Sequence, residues 1–298
     1  MGSSFVRAVE CWLPSADGTL LEYAGGRFPP GSRMPMVSRA MCFGRGEGLP
    51  GRAWDQAAPV VLHDFAGSYF RRTEAALADG LNCGIALPVF AGTTLRAVLV
   101  FFCGDDEAHA GAIEVWHNDP TNAAAPHDMV LLDGHYGRTA DTFEFISRRT
   151  SFRRGTGLPG MAWASRAPVF LPDLGRGSGF LRADSAQKVG INRGLALPCA
   201  VPGPQQYVLA FLSALGTPIA QRLEIWRPTA DGPYLLRTDG FCEAQGALAG
   251  QPAGAPPPEV TQCRDTGQPV IGPQPGAAVV ALPVLDREAL VAIVALHL

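Results

Sequence analysis

Two glycine motifs, Gly46-x-Gly48-x-x-Gly51 and Gly155-x-Gly157-x-x-Gly160, have the spacing with which a strand-to-helix turn cradles a dinucleotide pyrophosphate. Asp64 and Asp173 follow them where a ribose-binding acid would stand. The context excludes that chemistry. A crossover between parallel strands needs about a dozen residues, whereas Pro59 follows Gly51 closely and Pro50 and Pro159 stiffen the loops. The glycines read instead as a turn opening a short helix, with Trp54 or Trp163 packing on a sheet.

Other reactive side chains are weighed the same way. Phe70-Arg71 and Phe180-x-Arg182 put an aromatic and a guanidinium at the start of a second helix in each half. An arginine aimed into a pocket recognises a carboxylate or phosphate; the competing reading is a salt bridge to Asp64 or Asp173 that staples helix to strand. Those aspartates either cap the following segment or face the pocket. His117, Asp119, His127, Asp128 and His135 read as a polar hairpin, since their spacing matches no zinc pattern. Gly175 to Gly179 is not a nucleophile elbow, and no histidine recurs at matching positions, so nucleophilic catalysis has no support.

The elements that must position these residues come from an internal repeat. Gly46 to Trp54 and Gly155 to Trp163 are near copies, and a worn third copy spans Val260 to Pro269. Each copy is followed by an Ala-Leu-Pro strand, at Ala86, Ala196 and Ala281. Each is preceded by an alternating strand with a Glu-x-Trp step, Glu10-Trp12, Glu114-Trp116 and Glu224-Trp226. Period-two alternation marks half-buried strands. The spacing predicts an opening hairpin and a closing antiparallel hairpin in each module. Between them it predicts helices over 48–56 and 68–79 in the first copy, and 157–165 and 179–190 in the second. The third copy lacks the second helix, and 247–258 reads as a solvated loop. The modules are 1–107, 108–218 and 219–298, joined too tightly to be flexibly linked.

The net charge of −3 gives no reason to expect nucleic acid or an anionic membrane. Seven scattered cysteines without a CxxC point to reduced thiols in a cytoplasmic protein, with no metal and no cofactor expected. No apolar run is long enough to span a bilayer.

The order Glu-x-Trp, Gly-x-Gly-Leu-Pro-Gly-x-x-Trp, Pro-Val and Asp, a helix with Phe70-Arg71-Arg72 or Phe180-Leu181-Arg182, Ala-Leu-Pro and an apolar closing strand resembles the GAF domain. The resemblance covers the chain in three copies, the third degenerate. It implies an α+β fold of three GAF-like modules, each a mainly antiparallel sheet with short helices on one face, and small-molecule sensing without catalysis. It places a ligand beside Asp64, Phe65, Phe70, Arg71 and Cys83 in the first module, and Asp173, Phe180 and Arg182 in the second. No cyclic-nucleotide signature or bilin-attachment pair is present. The long terminal helices usual in the family have no room here, so the sheets must pack on each other or on a second chain. A homodimer or a signalling protein is the implied partner. A scaffold with closed pockets is the alternative. Some relatives reduce free methionine sulfoxide with pocket thiols, and here Cys83 with Cys42 is the pair that could do so.

Overall fold

The computed structural model describes residues 4–104, 110–123, 125–137, 139, 141–175, 177–214, 216–230, 234–272 and 278–298. The boundary at 107/108, the turn residues Asp231 and Gly232, and most of the stretch leading to Ala277 lie outside them.

The first unit runs β1 (Ala8–Pro14), β2 (Leu20–Arg27), α1 (Met34–Arg39), β3 (Cys42–Gly44), α2 (Gly48–Gln56), β4 (Val60–His63), α3 (Thr73–Ala78), β5 (Cys83–Ala91) and β6 (Thr94–Cys103). The second repeats it as β7 (Gly111–Asn118), β8 (Asp128–Tyr136), α4 (Asp141–Arg149), β9 (Ser151–Arg153), α5 (Gly157–Ser165), β10 (Val169–Leu171), α6 (Ala183–Lys188), β11 (Ile191–Cys199) and β12 (Gln206–Ala214). The third is β13 (Arg222–Pro228), β14 (Leu235–Cys242), β15 (Gly246–Ala247), α7 (Pro258–Thr266), β16 (Val270–Ile271), β17 (Val279–Asp286) and β18 (Ala289–His297). Each forms one six-stranded antiparallel sheet with the same strand order, β3-β2-β1-β6-β5-β4 in the first. This is the α+β, three-module architecture the repeat implies.

The central strands are buried on both faces, and their alternation shows against what. In β6, Ala97, Leu99 and Phe101 join a core shared by all three sheets, whereas Val98, Val100 and Phe102 pack under the helices of their own module. β12 and β18 divide the same way, with Leu209 and Phe211, and Val294 and Leu296, in the shared core. The sheets therefore cover one another. The Ala-Leu-Pro strands meet where the modules converge: Leu87, Leu197 and Leu282 all belong to this core. Around it the modules touch in a cycle. β4 packs on β8, Phe170 of β10 lies 6.3 Å from Phe241 of β14, and β16 packs on β1 and β2.

The glycine motif is a packing device. Gly46 and Gly48 hold φ of 83° and 55°, and Gly155 and Gly157 hold 85° and 64°. A Cβ on Gly51 or Gly160 would strike the carbonyl of Gly44 or Arg153, so only glycine lets this helix start against the edge strand. The amide of Gly46 donates to Gly51 O at 2.8 Å, closing the loop on itself.

One expectation needs correction. The second helices are short, Thr73–Ala78 and Ala183–Lys188, because the preceding residues form a turn in which Ser68 Oγ or Ser178 Oγ accepts the amide of Phe70 or Phe180. The stretches before the glycine motifs, Arg39 to Phe43 and Phe145 to Phe152, are largely a helix end and a brief edge strand. In α4 the alternating Phe-Glu-Phe-Ile imitates a strand, but Phe143 and Ser147, four residues apart, are the buried pair, which is helical spacing. The third module has seven residues between β16 and β17, of which 273–277 lie outside the described residues.

Candidate functional site

Each Glu-x-Trp step puts a carboxylate and an indole on the helix-side face of its opening strand. A register shift recurs in all three, between Cys11 and Trp12, Val115 and Trp116, and Ile225 and Trp226, leaving Ala24, Leu132 and Thr238 as the extra residue opposite. Glycine faces each glutamate across the ladder: Gly26, Gly134 and Gly240. A bulge of this kind re-aims side chains locally.

In the second module Glu114 is fully buried. Its Oε2 accepts Trp116 Nε1 at 2.9 Å and Arg182 Nη2 at 2.7 Å, and its Oε1 accepts Tyr136 Oη at 2.9 Å. Arg182 also donates to Ser147 Oγ. Burial alone would push the Glu114 carboxyl up, but the Arg182 charge and hydrogen bonds outweigh it and hold it below the usual range. Burial and the Glu114 charge raise the Tyr136 phenol. Rings of Trp116, Phe143 and Phe180 stand 5.0–5.1 Å from the Arg182 guanidinium carbon. They give its remaining N–H edges π faces in place of acceptors.

The first module repeats this with Glu10, Trp12, Ser38 and Arg72. The third keeps Glu224, and among the described residues no helix stands between β16 and β17 to carry the arginine. Arg237 of β14, Arg222 and His297 surround it instead, at 3.1, 2.7 and 3.3 Å.

These networks fill the space under the second helices, where the resemblance placed a ligand. Phe65 and Phe70 stack at 3.9 Å in the first module's core, and Phe180 is buried in the second. Arg182 is the buried partner of Glu114. Arg71 is not its counterpart: it lies on the surface 3.7 Å from Glu47, and Arg72 holds the matching buried place. The stapling acid is thus Glu10 or Glu114 rather than Asp64 or Asp173. Asp173 is exposed and caps its own turn through Gly175 N at 2.8 Å. Asp64, with φ of 50°, and Cys83 line a cleft between the first two modules. Cys42 is on β3 and Cys83 on β5, four strand steps apart, or about 19 Å at strand spacing. The two do not form a redox pair. Cys83 faces Cys103 across the ladder, and burial raises its thiol well above 9.0. The polar hairpin also separates: His117 stacks on Tyr207 while His135 turns toward the first module.

Open cavities lie at the junctions. One, of about 350 Å³, is lined by Trp163, Arg166, Pro198, Tyr207, Asp286 and Arg287 of the second and third modules, with Gly92 of the first. Arg166 Nη1 reaches Asp286 Oδ1 and Oδ2 at 3.2 Å across it. A second, of about 400 Å³, is the cleft lined by His63, Asp64, Cys83, His135, Glu144 and Arg148.

Sequence reasoning missed Arg72, Ser38, Ser147 and the junction residues. Glu10, Glu114 and Glu224 carried a usable signal, a charge recurring mid-strand beside tryptophan. Aligning the copies on Phe70 and Phe180 pairs Arg72, not Arg71, with Arg182.

No protein-family profile matches the sequence, and no curated protein matches it. Among solved structures the chain is similar to a mutated NreA protein from Staphylococcus aureus, at 13% identity over 34% of this chain and 76% of that one, with a TM-score of 0.28. It is similar to the GAF domain of a two-component sensor histidine kinase from Bacillus halodurans, at 14% identity over 33% and 64%, with a TM-score of 0.28. It is also similar to the nlh2 GAF domain of A. aeolicus, at 18% identity over 34% and 59%, with a TM-score of 0.27. Each alignment spans one module's worth of this chain. Among the described residues no helix is long and apolar enough to cross a membrane.

Proposed function

We propose that this chain is a non-catalytic, GAF-type regulatory binding protein whose ligand site has moved from under the helices to the junctions between modules. The supporting observation is the Arg182–Glu114–Ser147 network, with its Arg72–Glu10–Ser38 counterpart, filling the family's pocket position with the protein's own charge pair. An arginine already forked on a carboxylate has little left to offer an anion. The junction cavity of about 350 Å³ is of ligand size, and Trp163, Tyr207 and Arg287 suit a small anionic molecule with an apolar ring. A partner protein would read the occupied state, since a ligand there contacts more than one module.

A thermal-shift screen of anionic metabolites tests this. A compound held at a hundred times its Kd adds about 2.7 kcal/mol, and Trp163→Ala should remove that gain. The second reading is a scaffold with closed pockets, favoured by the Phe65–Phe70 stack. It expects no compound to shift the transition.

A further inference from the structure

The first and second modules meet across a row of side chains that the repeat does not impose. His63 and Cys83 are register partners on β4 and β5, so their side chains share the inner face of the first sheet. His135 of β8 comes from the second module to face them, its ring 6.4 Å from that of His63. One ligand atom from each residue, two imidazole nitrogens and a thiol sulfur, falls within 4.8 Å of the others. At the next junction the chemistry differs. Arg193 stands where Cys83 does, three residues before its Ala-Leu-Pro strand, and there it pairs with Glu243 and lies 4.0 Å over the Phe241 ring. One junction is closed by an ion pair, the other lined by N and S donors.

We propose that His63, Cys83 and His135 bind a borderline-soft divalent ion, zinc in the first instance, across the junction of the first two modules. The donor set selects the metal class: imidazole and thiolate suit zinc, not magnesium or calcium. Bonds of about 2.0 to 2.3 Å put tetrahedral donors about 3.5 Å apart, so side-chain adjustments of about 1 Å close the cluster. The cleft favours a cation: among the described residues that line it, Asp64 and Glu144 stand with Arg148, and Asp133 adds a third carboxylate beside His63. Asp133 Oδ1 lies 3.3 Å from His63 Nε2, the kind of carboxylate–imidazole contact that orients metal-bound histidine. The Cys83 thiol gives up its proton to solvent on binding, so affinity rises with pH. His63 is half exposed on the cleft, which leaves an entry path and a fourth position for water. The ion would clamp β4 and β5 of one module to β8 of the next.

Cobalt(II) and zinc(II) titrated into the chelator-treated full chain test the site. One equivalent of cobalt should bind with a thiolate-to-metal charge-transfer band and visible bands of tetrahedral intensity, and zinc should displace it stoichiometrically. Cys83→Ser should abolish the charge-transfer band, while Cys42→Ser, at the exposed thiol, should leave it. His63→Ala, at a half-exposed position that should not perturb folding, should weaken zinc by at least tenfold, the smaller loss typical even of an outer partner of a zinc ligand. A cobalt spectrum from the wild-type chain without the thiolate band would overturn the site. So would unchanged zinc affinity in His63→Ala.

Discussion

Arg182 forks onto Glu114, with Nη1 2.5 Å from Oε1 and Nη2 2.7 Å from Oε2, inside the second module. Bidentate pairing is the strongest geometry open to these groups, and it is satisfied here without a ligand. Breaking it from one side leaves a buried unpaired charge. Arg182→Ala should cost about 3–5 kcal/mol in denaturant unfolding, and Arg71→Ala, at the surface, within about 0.5 kcal/mol. Replacing both partners, Arg182→Met with Glu114→Leu, should recover part of the loss: the buried charge is gone, but Trp116 Nε1 and Tyr136 Oη lose their acceptor.

The third module answers to pH. Burial pushes the Glu224 carboxyl up, but hydrogen bonds from His297, Arg222 and Arg237 outweigh it and hold it at about 2, below its ordinary 4.5. A folded-state pKa below the unfolded one stabilises the fold above the unfolded value, and that contribution is lost as pH falls through the folded one. With Arg222 and His297 partly exposed and so partly screened, a contribution on the order of 1–2 kcal/mol should therefore disappear between pH 4.5 and 2. Glu224→Gln should be less stable at pH 7 and show a flatter acid limb. Equal acid limbs in urea titrations of the two proteins would contradict this.

Gly160→Ala should cost about 1–3 kcal/mol, since its Cβ has no room beside the Arg153 carbonyl. Gly254→Ala, in open space, should change stability by less than about 0.5 kcal/mol. Equal melting points for the two variants would remove the packing account of the glycine motif.

The repeat made most of the fold legible. Strand alternation around Trp12, Trp116 and Trp226 and the glycine-to-tryptophan copies marked the hairpins and gave α2 and α5 their observed limits. Helix α4 was hidden because Phe143-Glu144-Phe145 alternates as a strand would, while the fully buried positions are Phe143 and Ser147. The site was less legible. Arg71 and Arg72 are adjacent guanidiniums, and only the turn at Ser68 decides which one points in. The junction clefts depend on how three sheets meet, which no local pattern encodes.

The third module supplies a third of the shared core, with Val280, Leu282, Val284, Val294 and Leu296 against strands of the other two. Deleting residues 220–298 should expose those apolar faces and drive aggregation, read by light scattering of the truncated chain. A monomeric truncation with the melting point of the intact protein would contradict a structural role for this module.

The most direct measurement is where a stabilising anion binds, at the junction cavity or at the surface arginine that the resemblance named. For a small anionic compound that stabilises the wild-type chain, calorimetric affinity should fall at least tenfold in Trp163→Ala and Arg287→Ala and stay unchanged in Arg71→Ala. Unchanged affinity in the junction variants, or a metabolite screen with no stabilising compound, would contradict the placement of the site at the junction.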